Sequence, residues 1–229
     1  MPYDPPADFV ALRTGDGSFT LRSEQLGEQY HSIHGAVLEG THVYIKAGLE
    51  RAGKEEVDVL EVGLGTGLNL LLTWIRCLEG KYRVRYTALE PFPVSNEQLE
   101  ALAHCNDLAW PGLHDPFMER MGATNDGWHT AIGGLSFRKL VASVLEQEAE
   151  EAYDVIYFDA FAPTVQPELW TVEVFQRMHR ALRPGGALVT YCAKGEVRRA
   201  MIAAGFSVKR HKGPPGKAHM LRAVRPGTH

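Results

Sequence analysis

From Val57 onward the chain repeats one rhythm, and that rhythm restricts its folding more than any other feature. Short apolar runs, "VDVLEVG", "RVRYTALE", "YDVIYFDA" and "GGALVTYCA", alternate with stretches of helical spacing, "TGLNLLLTWIRCLEG", "SNEQLEALAHC", "PELWTVEVFQRMHRAL" and "EVRRAMIAAG". Strands separated by helices predict a mostly parallel sheet with helices on both faces. Two closing runs, "FSVKRHKG" and "AHMLRAVR", predict an antiparallel edge. Ahead of this rhythm, "FVALRTGDGSFTLRS" reads as a β-hairpin turning at Gly15, Asp16 and Gly17. From Tyr30 to Glu50, the spacing of Ile33, Val37, Leu38, Val43, Ile45 and Leu49 predicts a helix. The expected organisation is therefore a hairpin-and-helix extension over residues 1–56 and an α/β domain over 57–229. Residues Leu108 to Ala123, with Pro111, Gly112 and Pro116, read as an irregular or short-helix insertion.

Composition removes several classes. With 45% hydrophobic and 23% charged residues among 229, neither a disordered nor a fibrous protein is expected. The opening "MPYDPPADFV" has no basic or apolar leader, and no apolar run reaches spanning length, so a cytoplasmic protein without a membrane segment is expected. Cys77, Cys105 and Cys192 lie far apart and form no CxxC pair, while His31, His34 and His42 lack ligand spacing; no metal site is expected. The formal net charge is -4, yet the stretch from Thr190 to the end carries nine Lys or Arg against the single acid Glu196. Basic charge is concentrated at one end.

Glycines at 63, 65 and 67 in "EVGLGTGLN" sit where the first α/β strand gives way to a helix, the place where such sheets hold nucleotides or nucleosides. Leu68 stands where a dinucleotide fingerprint needs its third glycine, which disfavours a dinucleotide oxidoreductase. A tight turn with no ligand is the alternative reading. Glu90, ending the next strand about twenty residues on, is where an acid accepts from ribose hydroxyls.

Glu61 before the loop and Glu90 after it complete a pattern similar to that of S-adenosylmethionine-dependent methyltransferases of the Rossmann-like class I type. The resemblance implies that Glu61, Gly63, Gly65 and Gly67 hold the methionine end of S-adenosylmethionine and Glu90 its ribose, with Asn69 a further cofactor-binding residue. Near "GLSFRKL" there is no acid to contact adenine. Because ligands in such sheets sit beyond the carboxyl ends of the strands, Asp159, ending "YDVIYFDA", is expected beside the reactive methyl group.

The strings "DAFAPTVQPELWTVEVF", "LRPGGALVTYCAKGEVRRAMIAAGF" and "GPPGKAHMLRA" resemble the methyltransferase domain of the MnmC family, most closely its stand-alone form, MnmD. "DGSFTLRSEQLGEQYHSIHGAVLEGTHVYIKAGL" resembles it too, so the likeness covers nearly the whole chain. Ala218 and His219 depart from it, standing where an Arg-Glu pair is expected. The resemblance implies N-methylation of the 5-aminomethyl group of (2-thio)uridine at the tRNA wobble position, without the fused FAD oxidase domain. On this reading Asp159 hydrogen-bonds the amine, Phe161 stacks on the extruded base and Pro163 shapes the pocket wall. Tyr30 and His31 border the site. Arg198, Arg199 and Lys217, with Lys209, Arg210 and Lys212, meet tRNA phosphates in the anticodon region or form a solvated basic face. The competing readings are a methyltransferase for a small amine or protein, an aminopropyltransferase, and a non-catalytic RNA-binding partner with the same fold.

Overall fold

The computed structural model describes residues 8–25, 27–123 and 126–227. In chain order it begins with β1 (Val10–Arg13), β2 (Phe19–Ser23), β3 (Glu28–Gln29), α1 (Ala36–Gly40), a π-helical turn (Thr41–Lys46) and a 3-10 turn (Leu49–Arg51). Next come β4 (Glu56–Val62), α2 (Leu68–Leu78), β5 (Arg83–Leu89), α3 (Asn96–Leu102), α4 (His104–Asp107), a 3-10 turn (Pro111–Leu113) and α5 (His114–Gly122). The rest is β6 (His129–Ile132), β7 (Leu135–Leu140), β8 (Tyr153–Phe158), α6 (Val172–Ala181), β9 (Leu182–Thr190), α7 (Gly195–Ala203), β10 (Ser207–Lys212) and β11 (His219–Val224), with 3-10 turns before β8 and α6.

Strands buried on both faces make the centre of the sheet, as their continuous apolar runs require. All six residues of β8 are buried, and so are Val59 to Val62 of β4. The order across the eight strands is β10-β11-β9-β8-β4-β5-β7-β6. Strands β9, β8, β4, β5 and β7 run parallel, β11 pairs antiparallel with both β9 and β10, and β6 pairs antiparallel with β7. The expected antiparallel edge is present at β10 and β11, and β6 adds a second one that the sequence did not signal. A separate antiparallel sheet, β1-β2-β3, contains the expected hairpin.

The sheet divides the core. On one face α2, apolar nearly all round, is packed with Tyr86, Phe137 and Tyr157; on the other, Val174, Phe175 and Met178 of amphipathic α6 meet Ile156 and Phe158. Thr171 caps α6 by accepting from the Val174 N–H, so the predicted helix from Pro167 splits into a 3-10 turn and a capped helix.

One local expectation changes, and another is resolved between its two alternatives. Tyr30 to Glu50 is not one helix: Gly35, at φ 147°, starts only five residues of α-helix, which widen into the π-helical turn. Apolar spacing tolerates that extra residue per turn, so the periodicity alone did not reveal it. Residues 108–123 take the short-helix form of the two expected, with Pro111 opening the 3-10 turn that leads into α5. Among the described residues no helix is long and apolar enough to cross a membrane.

Candidate active site

β4 pairs in parallel with both β5 and β8, so the chain reverses its direction of travel across the sheet at the β4–β8 junction. A crevice opens beyond the strand ends at such a switch point. Val62 and Phe158 are in register, so Gly63 and Asp159 leave the sheet side by side, and the Asp159 N–H donates to the Val62 carbonyl over 2.9 Å. Gly63 has φ 86°, and a Cβ there would lie 2.7 Å from the Asp159 carbonyl oxygen. Gly65 (φ 50°) gives way in the same manner to the Tyr30 ring, and Gly67 (φ 75°) to Phe117 and Met121 of α5. The glycine loop is thus shaped by three neighbours. Gly63→Ala is expected to destabilise the fold by about 2 to 3 kcal/mol, combining left-handed strain with a backbone clash. Denaturant unfolding measures it, and an unchanged midpoint would contradict this packing.

The loop borders a cavity of 410 Å³. Of the residues expected at a site, Tyr30, His31, Gly63, Gly65, Glu90, Asp159, Phe161 and Lys217 line it. Glu61, Gly67, Asn69, Pro163, Arg198 and Arg199 do not. Pro163 instead sits in the turn closed by Val165 and Gln166 N–H groups on the Ala162 carbonyl. Arg198 and Arg199 lie on α7, half-buried and exposed respectively.

Glu61 is fully buried beneath the loop. It accepts from Asn69 Nδ2 (2.9 Å) and from the Tyr86 hydroxyl (2.7 Å). The same Asn69 nitrogen donates to Asp159 Oδ2 over 2.8 Å, and the Tyr44 hydroxyl donates to Asp159 Oδ1 over 2.6 Å. One amide therefore bridges two carboxylates, each topped by a tyrosine, and only the NH2 side of Asn69 can face both acceptors. Burial holds the Glu61 carboxyl well above its ordinary range. Burial also raises Asp159, to about 7; Glu39 pushes in the same direction, while the Tyr44 and Asn69 hydrogen bonds and Lys217 pull it back. Asp159 is half-buried and its carboxylate borders the cavity.

Glu90 accepts the Gly65 N–H through Oε2 and the Phe92 N–H through Oε1, each over 2.9 Å, fastening the loop to the end of β5. Lys217 reaches in from the β10–β11 loop. Its ammonium is 2.5 Å from Glu39 Oε2 and 4.0 Å from the Tyr191 ring centre, so an ion pair within the cavity wall holds it rather than solvent. His31 is buried against Thr20, and burial lowers its pKa to about 3, which leaves a neutral imidazole. Phe161 meets Tyr30 at 5.0 Å between ring centres, and Phe9 packs on both. The loop that carries Phe161 is fixed by Gln166 on its N–H, Trp170 on its carbonyl and Tyr191 on the Ala160 carbonyl.

Tyr44, Tyr86, Glu39, Tyr191, Ser143 and Val144 were not singled out in the sequence. Ser143 and Val144 come into the cavity lining from the loop after β7, just past "GLSFRKL". No motif marks the others; each meets a partner that lies far from it in the chain. Cys77, Cys105 and Cys192 are free and buried, and burial pushes the Cys77 thiol up to about 12.

The arrangement offers a glycine cradle, a carboxylate at the end of the second parallel strand, and a second carboxylate that titrates near neutrality. That combination suits a nucleoside-bearing ligand and a cationic or amine group beside it. Residues 134–226 match the family described as S-adenosyl-L-methionine-dependent methyltransferase. The bifunctional protein MnmC of tRNA 5-methylaminomethyl-2-thiouridine biosynthesis from Ectopseudomonas mendocina is 33% identical over 219 residues, 87% of this chain and 32% of that protein. Its Aromatoleum aromaticum counterpart is 32% identical over 244 residues, 97% of this chain and 36% of that protein. The chain thus spans about a third of the length of these relatives. Among solved structures, MNMC2 from Aquifex aeolicus superposes with a TM-score of 0.76 at 25% identity, over 99% of this chain and 73% of that one. Spermidine synthase from Thermotoga maritima, at TM-score 0.57 and 14% identity over 100% of this chain and 73% of that one, shares the fold.

Proposed function

We propose that the chain, similar over residues 134–226 to S-adenosyl-L-methionine-dependent methyltransferases and over most of its length to the MnmC proteins, methylates a primary amine: the 5-aminomethyl group of (2-thio)uridine at a tRNA wobble position. The cavity suits the cofactor. Gly63 and Gly65 leave backbone where a Cβ would intrude, and the Glu90 carboxylate reaches the lining where ribose hydroxyls need an acceptor. Ser143 and Val144 are proposed to edge the adenine. S-adenosyl-L-methionine supplies an electrophilic methyl group on its sulfonium.

The observation that carries the reading is Asp159 on the cavity wall with a pKa of about 7. An amine attacks only as the free base, and one as basic as lysine has a pKa of about 10.4. Passing its proton to a carboxylate of ordinary pKa, about 3.9, costs about 9 kcal/mol at about 1.36 kcal/mol per unit. Against a pKa near 7 the cost falls to about 5 kcal/mol, comparable with releasing the proton to water at neutral pH. Considered from sequence, Asp159 reads as a hydrogen-bond partner too weak to be a base; burial makes the second role feasible. Transfer forms the nitrogen–carbon bond as the sulfonium–carbon bond breaks, and the nitrogen gives up one proton, to Asp159 or through it to water.

Phe161 is proposed as the stacking surface for the base, with Tyr30 and His31 bordering it. Phosphate contacts are proposed for the exposed Lys209, Arg210 and Lys212 of edge strand β10 and for Arg198 and Arg199 of α7. Lys217, held in the cavity wall, is proposed to meet the nucleoside instead.

Incubation with labelled S-adenosyl-L-methionine and two tRNA pools, one carrying 5-aminomethyluridine and one lacking it, tests the reading. Nucleoside mass spectrometry is expected to find the methyl group only on the aminomethyl nitrogen of the first pool. Label in neither pool, with cofactor binding intact, would reject the tRNA acceptor in favour of a small amine or a protein.

A further inference from the structure

Asp159 is fixed from two directions. Tyr44 donates to Oδ1 and Asn69 to Oδ2, which leaves lone pairs on both oxygens for a guest in the cavity. The Asn69 contact follows from the glycine loop, since α2 starts at Leu68 immediately after Gly67. The Tyr44 contact has another origin. Tyr44 belongs to the π-helical turn Thr41–Lys46, and insertion of an extra residue into a helical turn re-aims the side chains that follow. Its ring is buried and packs at 5.3 Å on Tyr157, which packs at 6.0 Å on Tyr86, the residue that supports Glu61. The hydroxyl therefore stands on a column of aromatic rings.

We propose that Tyr44 is the positioning residue for the acceptor amine, its hydroxyl fixing the plane of the Asp159 carboxylate and favouring its ionised form. The inference rests on the reading of Asp159 as the amine's partner. A phenol donating to one oxygen stabilises the anion over the acid and prevents rotation of the carboxylate away from the cavity. Other groups act on Asp159 as well. Glu39 of α1 opposes ionisation and Lys217 of the β10–β11 loop favours it, while Glu61 lies beneath through Asn69 and Tyr191 and Tyr86 stand close by. Tyr44 differs from Glu39 and Lys217 in touching the carboxylate directly.

Tyr44→Phe removes one oxygen and keeps the ring that packs on Tyr157. The acid limb of the kcat–pH profile is expected to move up by about one pH unit, with kcat about fivefold lower at pH 7, because a lost hydrogen bond to the anion raises the carboxyl pKa. KM for S-adenosyl-L-methionine is expected to stay within about twofold, the loop and Glu90 being untouched. Carbon-13 NMR of labelled aspartate is expected to show the same upward displacement of the Asp159 titration in the protein alone. This second measurement needs no acceptor, so it tests Tyr44 even if tRNA is not the substrate. An unmoved carboxyl titration would overturn the inference. So would a loss of activity matched by an equal loss of cofactor affinity, the signature of general disruption.

Discussion

Asp159→Asn is expected to lower kcat with aminomethyl-tRNA by two to three orders of magnitude, the scale of a lost general base or charge-stabilising group. The dissociation constant for S-adenosyl-L-methionine should stay within about twofold. Asparagine is the informative replacement because its amide oxygen can still accept from Asn69, and the Tyr44 hydroxyl can reverse and accept from its NH2. The network survives while the charge does not. Wild-type kcat is expected to fall about tenfold per unit as pH drops below about 7, since the acid form of Asp159 can no longer take a proton, and the Asn variant should lack that limb. Single-turnover rates across pH 5.5 to 9 decide this. A variant with wild-type turnover would remove Asp159 from the chemistry.

The same carboxyl has a cost in stability whose sign can be worked out. Its folded pKa lies above the ordinary value, so between about pH 4 and about pH 7 the folded chain binds more protons than the unfolded one. Stability therefore declines as pH rises through that window, and Asp159→Asn is expected to raise the denaturant midpoint at pH 8 relative to wild type. A lower midpoint at pH 8 would mean that the carboxylate stabilises the fold and that burial is offset by its partners. A site that stabilises a carboxylate's chemistry at the expense of the fold is a common compromise.

What was legible in the sequence and what was not divide along a physical line. Continuous apolar runs such as "YDVIYF" announce central parallel strands because burial on both faces leaves no room for polar alternation. That Gly63, Gly65 and Glu90 come to the cavity was legible because their places follow from position along one strand–turn–helix–strand unit. Tyr44 and Tyr86 were not, because a buried tyrosine looks like core until its hydroxyl is found against a carboxylate contributed by a distant part of the chain. Glu61 was legible as part of a motif, while its place beneath Asn69, outside the cavity lining, was not. Lys217, one of many cations in a basic tail, could not be separated from its solvated neighbours until Glu39 was seen opposite it. The string "YFDAFAP" ends a buried strand in a carboxylate that Tyr44 and Asn69 restrain, and the residues after it, Gln166 and Trp170, hold the loop that carries Phe161.

Glu90→Ala is expected to weaken S-adenosyl-L-methionine binding about a hundredfold, about 3 kcal/mol, while kcat at saturating cofactor changes by less than about threefold. Two losses add. Removing the carboxylate takes away the acceptor for ribose hydroxyls, each charge-assisted hydrogen bond contributing about 1.5 kcal/mol or more. It also frees the Gly65 and Phe92 N–H groups, so the loop must be ordered by the ligand rather than before it arrives. Glu90→Gln separates the two: its single carbonyl oxygen can keep the Gly65 N–H but not both donors, so a loss of about tenfold is expected. Isothermal titration calorimetry reads both variants. Equal affinities for wild type and Glu90→Ala would show that the ribose is held elsewhere and that Glu90 only fastens the loop. A hundredfold loss in Ala with wild-type affinity in Gln would instead make the Gly65 contact the larger of the two contributions, since that is the bond the amide retains.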